Sequence, residues 1–265
     1  MIEVRGLVSH YGPRVVLNGI DLDVYPGEIL VIMGGSGSGK STLLRTMLAL
    51  QPMTAGAVRI LDVDIATAGA RELAALRRKL GVAFQGGALF SSMTVAENIV
   101  LPLVEHTRLD PATMSIMARL KLEVVGLAGF GSLMPSELSG GMVKRAAFAR
   151  ALIMDPKILF CDEPSAGLDP AVASAIDDLI LRLRDAMGTT IVVVTHELDS
   201  AFKIADRIAV LDHGRILFVG AVDELRRHPS ERIQNLLNRR PEDDTIDPDD
   251  YLRRLTGEPE LAARP

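Results

Sequence analysis

The chain has 265 residues, of which 48% are hydrophobic, enough to bury a sizeable core in one large domain or two lobes. No apolar run approaches the ~18 residues of a membrane span. The first residues lack the basic-then-apolar pattern of a secretion signal, and the single cysteine, Cys161, excludes an internal disulfide. We therefore expect a cytoplasmic protein that serves a membrane only through a partner.

The net charge of −5 lies in residues 241–265, where eight acidic side chains outnumber three arginines. Residues 1–240 are neutral overall and lack an aromatic-rich basic stripe, which argues against nucleic acid as the main ligand. The acidic tail is typical of a solvated, poorly ordered terminus. Composition favours that interpretation only slightly over a short docking segment at DDYLRRL.

Short strand-like runs open the chain. Residues 2–4, 15–17 and 20–24 are such runs, broken by Gly12-Pro13 and, after the last run, by Pro26-Gly27, which predicts antiparallel hairpins. Residues 28–33 are an apolar run that ends in glycines, and residues 40–50 after it are helix-like. Strand, loop and helix therefore follow one another.

In the middle of the chain, a predicted strand pair and helix are followed by a long segment without strands. Residues 58–65 predict a strand pair and 70–80 an amphipathic helix. Residues 86–155 lack β-rich runs and predict a mainly helical insertion.

The continuous apolar runs at 157–163 and 189–197 are typical of parallel strands buried on both faces. The helix-like stretch 171–187 lies between them, which predicts a β-α-β unit. A hairpin signal at 207–220 closes the core. The predicted fold is α/β, with a mostly parallel core sheet, an N-terminal antiparallel β subdomain and an α-helical insertion.

A phosphate-binding loop is predicted between the third strand and its helix. GGSGSGKS, from Gly34 to Ser41, has the spacing Gly-x-x-x-x-Gly-Lys-Ser in a strand–loop–helix context. A plain Gly/Ser-rich loop would not explain Lys40, which would reach the β and γ phosphates, or Ser41, whose hydroxyl would ligate Mg²⁺. The nucleotide-binding residues expected here are Gly34, Gly35, Ser36, Gly37, Ser38, Gly39, Lys40, Ser41 and Thr42.

Two carboxylates end the run ILFC. Ligands of open parallel sheets bind beyond the carboxyl ends of the strands, so we expect Asp162 to hold the metal and Glu163 to be the base that activates water. An acidic pair at a strand end can also be an ordinary turn, but the upstream phosphate loop favours the catalytic interpretation.

His196 and Gln85 also follow strand-like runs. His196 could hydrogen-bond a γ-phosphate, and Gln85 could contact the metal or the water. Taken singly, each is as compatible with a structural role.

A second anion-type site is predicted where a helix begins. Ser139 is a good N-cap, but Gly140 and Gly141 each cost ~1 kcal/mol relative to alanine in a helix. They expose backbone N–H groups at the positive end of the helix. The chain therefore carries two phosphate cradles.

These motifs occur in the order found in ATP-binding-cassette (ABC) ATPases. LSGGM (138–142) resembles the family signature, Phe84-Gln85 its Q-loop, AGLD (166–169) its D-loop and Thr195-His196 its switch histidine. The resemblance covers residues 1–225, a P-loop NTPase-type nucleotide-binding domain with the insertion at about 86–155. It leaves residues 226–265 as a C-terminal extension with the acidic tail.

The resemblance implies an ATPase that uses ATP and Mg²⁺ and pairs head to tail as a homodimer. The phosphate loop of one subunit and Ser139, Gly140 and Gly141 of the other would close over one ATP. Tyr11 stands where the family stacks an aromatic ring on adenine, although a lone tyrosine in a hairpin is usually a packing residue. Gly35 replaces a proline that is common in these cassettes.

Two longer stretches, 84–109 and 121–152, resemble the cassette subunits of Mla-type phospholipid transporters, notably in GALF, NIVLPLVEHT and LMPSELSGGM. This resemblance implies a location at the cytoplasmic face of the bacterial inner membrane, with a transmembrane permease, a periplasmic lipid-binding subunit and a small regulatory subunit as partners. Ala88, Leu89 and Phe90 would line the permease groove or, equally well, lie buried in the lobe.

Two alternatives remain open. One is a cassette for another cargo, such as an amino acid or other small solute. The other is a module that acts on nucleic acid or ribosomes, which the neutral body and the missing coiled-coil insertion disfavour.

Overall fold

The computed structural model describes residues 1–239; the predicted acidic tail, 241–265, lies outside the described residues. One compact unit covers Met1–His228, and a second begins at Pro229. The strands are β1 (Ile2–Tyr11), β2 (Arg14–Val24), β3 (Ile29–Met33), β4 (Ala55–Ile60), β5 (Val63–Asp64), β6 (Leu80–Ala83), β7 (Ile158–Asp162), β8 (Thr190–Thr195), β9 (Arg207–Asp212) and β10 (Arg215–Gly220). The helices are α1 (Lys40–Met47), α2 (Ala70–Arg77), α3 (Val95–His106), α4 (Pro111–Val124), α5 (Gly140–Leu152), α6 (Pro170–Met187), α7 (Leu198–Ile204), α8 (Val222–Arg226) and, in the second unit, α9 (Glu231–Leu237).

Strands β2, β1, β4 and β5 form an antiparallel sheet in that order. β1 and β2 pair from Ile2 opposite Val24 to Tyr11 opposite Arg14. The predicted hairpin is confirmed, but its strands are longer than the apolar runs suggested. Register shifts along the pair accommodate the residues that break the alternation.

The second sheet has the order β10-β9-β3-β8-β7-β6, and only the β9–β10 pair is antiparallel among these strands of residues 1–239. Every residue of β3 and β8 is buried, which explains their continuous apolar sequences. In register, Met33 lies beside Thr195 and Asp162 beside Val194. The loops after β3, β7 and β8 therefore meet at one edge of the sheet, where ligands of such folds bind.

Helices α3, α4 and α5 form the predicted helical insertion between β6 and β7. Each begins at a side-chain N-cap, provided by Thr94, Asp110 and Ser139 respectively. The predicted α/β fold, with its antiparallel subdomain, mostly parallel core sheet and helical insertion, is confirmed. Within residues 1–239, none of the helices combines the length and apolarity that crossing a bilayer requires.

The helix predicted over 70–80 is too long. α2 ends at Arg77, and the chain then enters β6, which pairs with β7. A Cβ on Gly81 would lie 2.5 Å from the carbonyl oxygen of Ala151, so the strand passes too close to α5 for a side chain there. Strand pairing at this sheet edge therefore overrides the local helical pattern.

Candidate active site

The loop between β3 and α1 curls around the ammonium of Lys40. Its Nζ donates to the carbonyl oxygens of Gly34 and Gly35, each at 2.8 Å, and only 9% of the residue is exposed. Burial lowers the pKa of Lys40, while the charges of Glu163 and Asp162 oppose that shift. The lysine therefore already lies within electrostatic reach of both predicted carboxylates.

Steric contacts explain two glycines of this loop. A Cβ on Gly34 would lie 2.0 Å from the carbonyl oxygen of Leu211, and Gly39 has a φ of 108°, which an L side chain rarely adopts. A Cβ on Gly35 would meet no atom within 4 Å. Glycine, where the cassettes that this chain resembles commonly have proline, therefore leaves empty space beside the backbone. The hydroxyl of Ser38 is buried and has no hydrogen-bond partner within residues 1–239. An unpartnered buried donor in the same loop as Lys40 is a fit for a phosphate oxygen.

A cavity of about 440 Å³ adjoins this loop. Tyr11 lies at it and is 77% exposed, so the interpretation of Tyr11 as a packing residue is wrong. The residues that line the cavity are Tyr11, Arg14, Val15, Val16, Gly37, Gly39, Lys40, Ser41, Thr42, Arg45, Gln51, His213 and Gly214.

Glu163 is held at the sheet edge by the end of β8. Its Oε1 lies 2.8 Å from Nδ1 of His196, and its Oε2 accepts a hydrogen bond of 3.0 Å from the hydroxyl of Thr195. Its backbone N–H donates to the carbonyl of Val194 at 2.8 Å. The structure therefore brings two predicted residues, Glu163 and His196, into direct contact. It also shows a hydrogen bond from Thr195, which the sequence analysis named only as the residue before the switch histidine.

Asp162, the last residue of β7, interacts with charged side chains of both signs. Its pKa is raised, first by burial and then by the neighbouring charge of Glu163. The cations Arg45, Lys144 and Lys40 oppose that shift. Two carboxylates beside each other, one of them with a raised pKa, form an oxygen-rich site that suits a hard divalent cation.

Gln85 is exposed in the loop 84–90, hereafter the Gln85 loop. Helix α5 holds this loop through Lys144, whose Nζ donates to the carbonyl of Gln85, and through Arg150, which donates to two further carbonyls of the loop at 2.6 and 2.9 Å. Phe90 is 52% exposed and Ala88 is exposed as well. The interpretation of this stretch as buried within the lobe is therefore wrong for those two residues.

The start of α5 is built as expected around Ser139, whose Oγ accepts from the N–H of Met142 at 3.3 Å. Ser139 and Gly140 are exposed, and they do not line the cavity at the phosphate loop. Gly141 has an additional, steric reason to be glycine, because a Cβ there would lie 2.5 Å from Cγ1 of Val172 on α6. One of the two unusual glycines thus allows close helix packing inside the chain.

Lys144 is the main residue that the sequence analysis missed. Gly141, Lys144, Phe148 and Leu152 share one buried face of α5. That spacing was available in the sequence and could have indicated a buried cation. Arg14, Arg45 and His213 at the cavity were also missed, since nothing in their local sequence indicates a ligand.

The loop, the carboxylates and the capped glycine helix agree with the comparison to known families. The model of the family described as "ABC transporter" matches residues 17–166, more than half of the chain. The chain belongs to the ABC transporter family. It therefore binds ATP and is an ATPase.

Relatives with different cargoes are comparably similar to this ABC ATPase. The intermembrane phospholipid transport system ATP-binding protein MlaF of Haemophilus influenzae is 38% identical over 89% of this chain and 90% of its own length. The methionine import ATP-binding protein MetN of Caulobacter vibrioides is 41% identical over 92% of this chain and 74% of its own length. The ATP-binding cassette MJ0796, in a dimeric post-hydrolysis state bound to ADP and Pi, superposes with a TM-score of 0.76 and 32% identity over 84% of this chain and 99% of that one.

Proposed function

We propose that the cavity and the phosphate loop hold ATP, with the adenine on Tyr11 and the phosphates on residues 34–42. Three observations support this assignment: Tyr11 is exposed at the cavity, Lys40 lies within the curled loop, and the hydroxyl of Ser38 has no partner within residues 1–239. Backbone N–H groups at the start of α1 face the same region and favour an anion.

The proposed metal ligands are Ser41, Asp162 and Gln85, which would hold Mg²⁺. All three offer oxygen atoms, the ligands that Mg²⁺ prefers. When bound, the ion would neutralise phosphate charge. The raised pKa of Asp162 and the adjacent Glu163 carboxylate indicate a site in which a cation relieves repulsion between the two acids.

Glu163 is the proposed general base and His196 its orienting partner. The observation that carries this proposal is the Glu163 carboxylate itself, which Thr195 and His196 hold at the carboxyl edge of the sheet within electrostatic reach of Lys40. The carboxylate accepts from three donors, namely the hydroxyl of Thr195 and both the backbone N–H and Nδ1 of His196. Because a carboxylate has about four acceptor positions, one is left to accept a proton from water. His196 is exposed and can also donate to a phosphate oxygen.

Ser139, Gly140 and Gly141 are proposed to complete the site of a second, head-to-tail copy of the chain. Ser139 and Gly140 are exposed, carry N–H groups at a helix start and lie outside this chain's own cavity. The dimeric state of MJ0796 supports such pairing. An isologous pair of this kind is closed and contains two equivalent sites.

The proposed task is to power a permease that moves phospholipid between the bacterial inner and outer membranes, from the cytoplasmic face of the inner membrane. The MlaF relative and the stretches GALF, NIVLPLVEHT and LMPSELSGGM support this cargo. A periplasmic lipid-binding subunit and a small regulatory subunit belong to the same proposal. The exposed Phe90 and Ala88 are proposed to contact the permease.

Import of an amino acid is the second candidate, because the MetN relative is 41% identical. A gentle pull-down of the tagged chain from native membranes, with mass spectrometry of proteins and lipids, separates the candidates. A permease with a lipid-binding subunit and enriched phospholipid supports the first. A permease with a solute receptor and no enriched lipid supports the second. Ribosomal or DNA-bound proteins without a permease would contradict both.

A further inference from the structure

Helix α5 carries a buried cation close to the catalytic edge of the sheet. Lys144 is only 8% exposed and lies on the same buried face as Gly141 and Phe148. Burial of an ammonium is unfavourable unless its donors are satisfied. Burial lowers the pKa of Lys144, and the charges of Glu163 and Asp162 oppose that shift. A lysine in this position therefore needs polar partners.

Those partners belong to two different loops. The Nζ of Lys144 donates to the carbonyl oxygen of Gln85 and, at 2.9 Å, to the carbonyl oxygen of Glu163. Arg150 of the same helix donates to two more carbonyls of the Gln85 loop. Helix α5 thus holds this loop at three carbonyls, and Lys144 joins that contact to the backbone of Glu163.

The backbone of Glu163 has a conformation that depends on its surroundings. Its φ is +48°, in the left-handed region that residues other than glycine adopt only when neighbouring groups hold them there. Thr195 and His196 hold its carboxylate. On the carbonyl side, the ammonium of Lys144 donates at 2.9 Å and the N–H of Ala166 at 3.3 Å. The direction of the carboxylate is therefore fixed from both sides of the residue.

We propose that Lys144 is a positioning residue for ATP hydrolysis, which ties Glu163 and the Gln85 loop to helix α5. The inference rests on the proposed role of Glu163 as the base. Because Ser139 caps the start of α5, the same ammonium would connect a subunit's own base to the helix start that meets its partner's nucleotide. Lys144 contacts backbone carbonyls, so its effect on the reaction is exerted through the residues that it holds.

The test compares Lys144→Met, which removes the donors, with Lys144→Arg, which keeps charged donors, and with Lys121→Met. Lys121 is a matched control, since it lies in the same insertion and pairs with Asp155. Steady-state hydrolysis by the full-length chain, with any permease that co-purifies, gives kcat and KM. We expect Lys144→Met to lower kcat by about 10- to 100-fold with KM changed less than about twofold. Lys144→Arg loses less, and Lys121→Met behaves like wild type.

A second measurement asks whether Lys144 acts through Glu163. In single-turnover assays, Lys144→Met should add less than about a twofold loss to Glu163→Gln, because the residue that it positions has already been disabled. An equal loss in both backgrounds, or a kcat equal to that of Lys121→Met, would overturn the inference. If Lys144→Met does not fold, Lys144→Leu, which likewise lacks a donor, replaces it with the same expectation. Wild-type hydrolysis by Glu163→Gln alone would instead contradict the proposed function.

Discussion

The loop at 34–41 and the helix start at 139–141 are the two proposed backbone sites for anions, and they differ in how complete they are. The loop encloses Lys40, leaves a buried hydroxyl of Ser38 without a partner within residues 1–239, and adjoins a cavity. The start of α5 is exposed, and the side chain of Ser139 already accepts from its own helix. In the proposed function, the loop would bind phosphates alone, whereas the start of α5 would bind only a nucleotide that a partner subunit brings to it. A nucleotide site shared between two subunits needs one half of each kind.

The largest effect on the rate of ATP hydrolysis is expected when Glu163, the proposed base, is replaced. Glu163→Gln should lower the rate of ATP hydrolysis by ~10²- to 10⁴-fold, because the amide cannot accept the proton of the attacking water. ATP binding should persist, and the variant should accumulate as an ATP-bound dimer in size-exclusion chromatography. Phosphate release at the wild-type rate would remove Glu163 from the mechanism.

A substitution at the start of α5 should separate ATP binding from ATP hydrolysis. Ser139→Arg should reduce hydrolysis by at least ~10²-fold, since a long side chain obstructs the surface that faces the partner's nucleotide. Binding of ATP to the monomer, measured by calorimetry, should stay near wild type because Ser139 lies outside the chain's own cavity. Lys40→Ala is the contrasting variant, and it should lose binding. Equal loss of binding in both variants would place the two cradles in one site.

The two glycines of α5 should differ in stability. Gly141→Ala is expected to cost ~1–3 kcal/mol, because its Cβ would overlap Cγ1 of Val172. Gly140→Ala should be neutral or slightly stabilising, since its Cβ would lie 3.5 Å from Cδ2 of Leu168, an ordinary contact. Urea unfolding of both variants measures the difference. Equal stabilities would show that Gly141 is there only for its backbone N–H.

The smallest effect concerns Asp177, on the helix against which Gly141 packs. It is 3% exposed, accepts from Ser200 Oγ at 3.0 Å, and has one carboxylate oxygen without a partner within residues 1–239. Burial raises its pKa, so the folded state holds this proton more tightly than the unfolded state does. The carboxylate therefore destabilises the fold increasingly as pH rises from the unfolded pKa through the folded one.

Asp177→Asn should for that reason be more stable than wild type at pH 7, with a gain that disappears as pH falls to about 4. Thermal unfolding between those pH values measures it. A gain independent of pH would assign the effect to packing and not to charge. Asp185→Asn on the same helix is the control, since Asp185 is exposed and its charge does not contribute to the pKa shift of Asp177.

The parts of the site that local sequence defines were predictable. Spacing within one strand–loop–helix unit predicts the loop around Lys40, and a buried strand that ends in acids predicts where Asp162 and Glu163 lie. The contact between Glu163 and His196 depends on the pairing of β7 with β8, which no local pattern specifies. The link from Lys144 to Gln85 and Glu163 likewise exists only after three separate segments have packed together.

The different roles of the two glycines of α5 also could not be predicted from the sequence. Gly140 and Gly141 look alike in sequence, and both read as bare backbone for an anion. Only the approach of Val172 separates them, and that approach is a property of how α6 packs on α5.

The measurement that tests the shared site most directly is complementation between Lys40→Ala and Ser139→Arg. Each variant alone should be inactive, because both sites of its homodimer carry the same defect. In a head-to-tail heterodimer both defects fall in one site and leave the other intact. An equal mixture should therefore recover up to about a quarter of wild-type hydrolysis, if sites act independently and subunits pair at random. A mixture as inactive as its components, with heterodimers demonstrated by tags, would contradict the account.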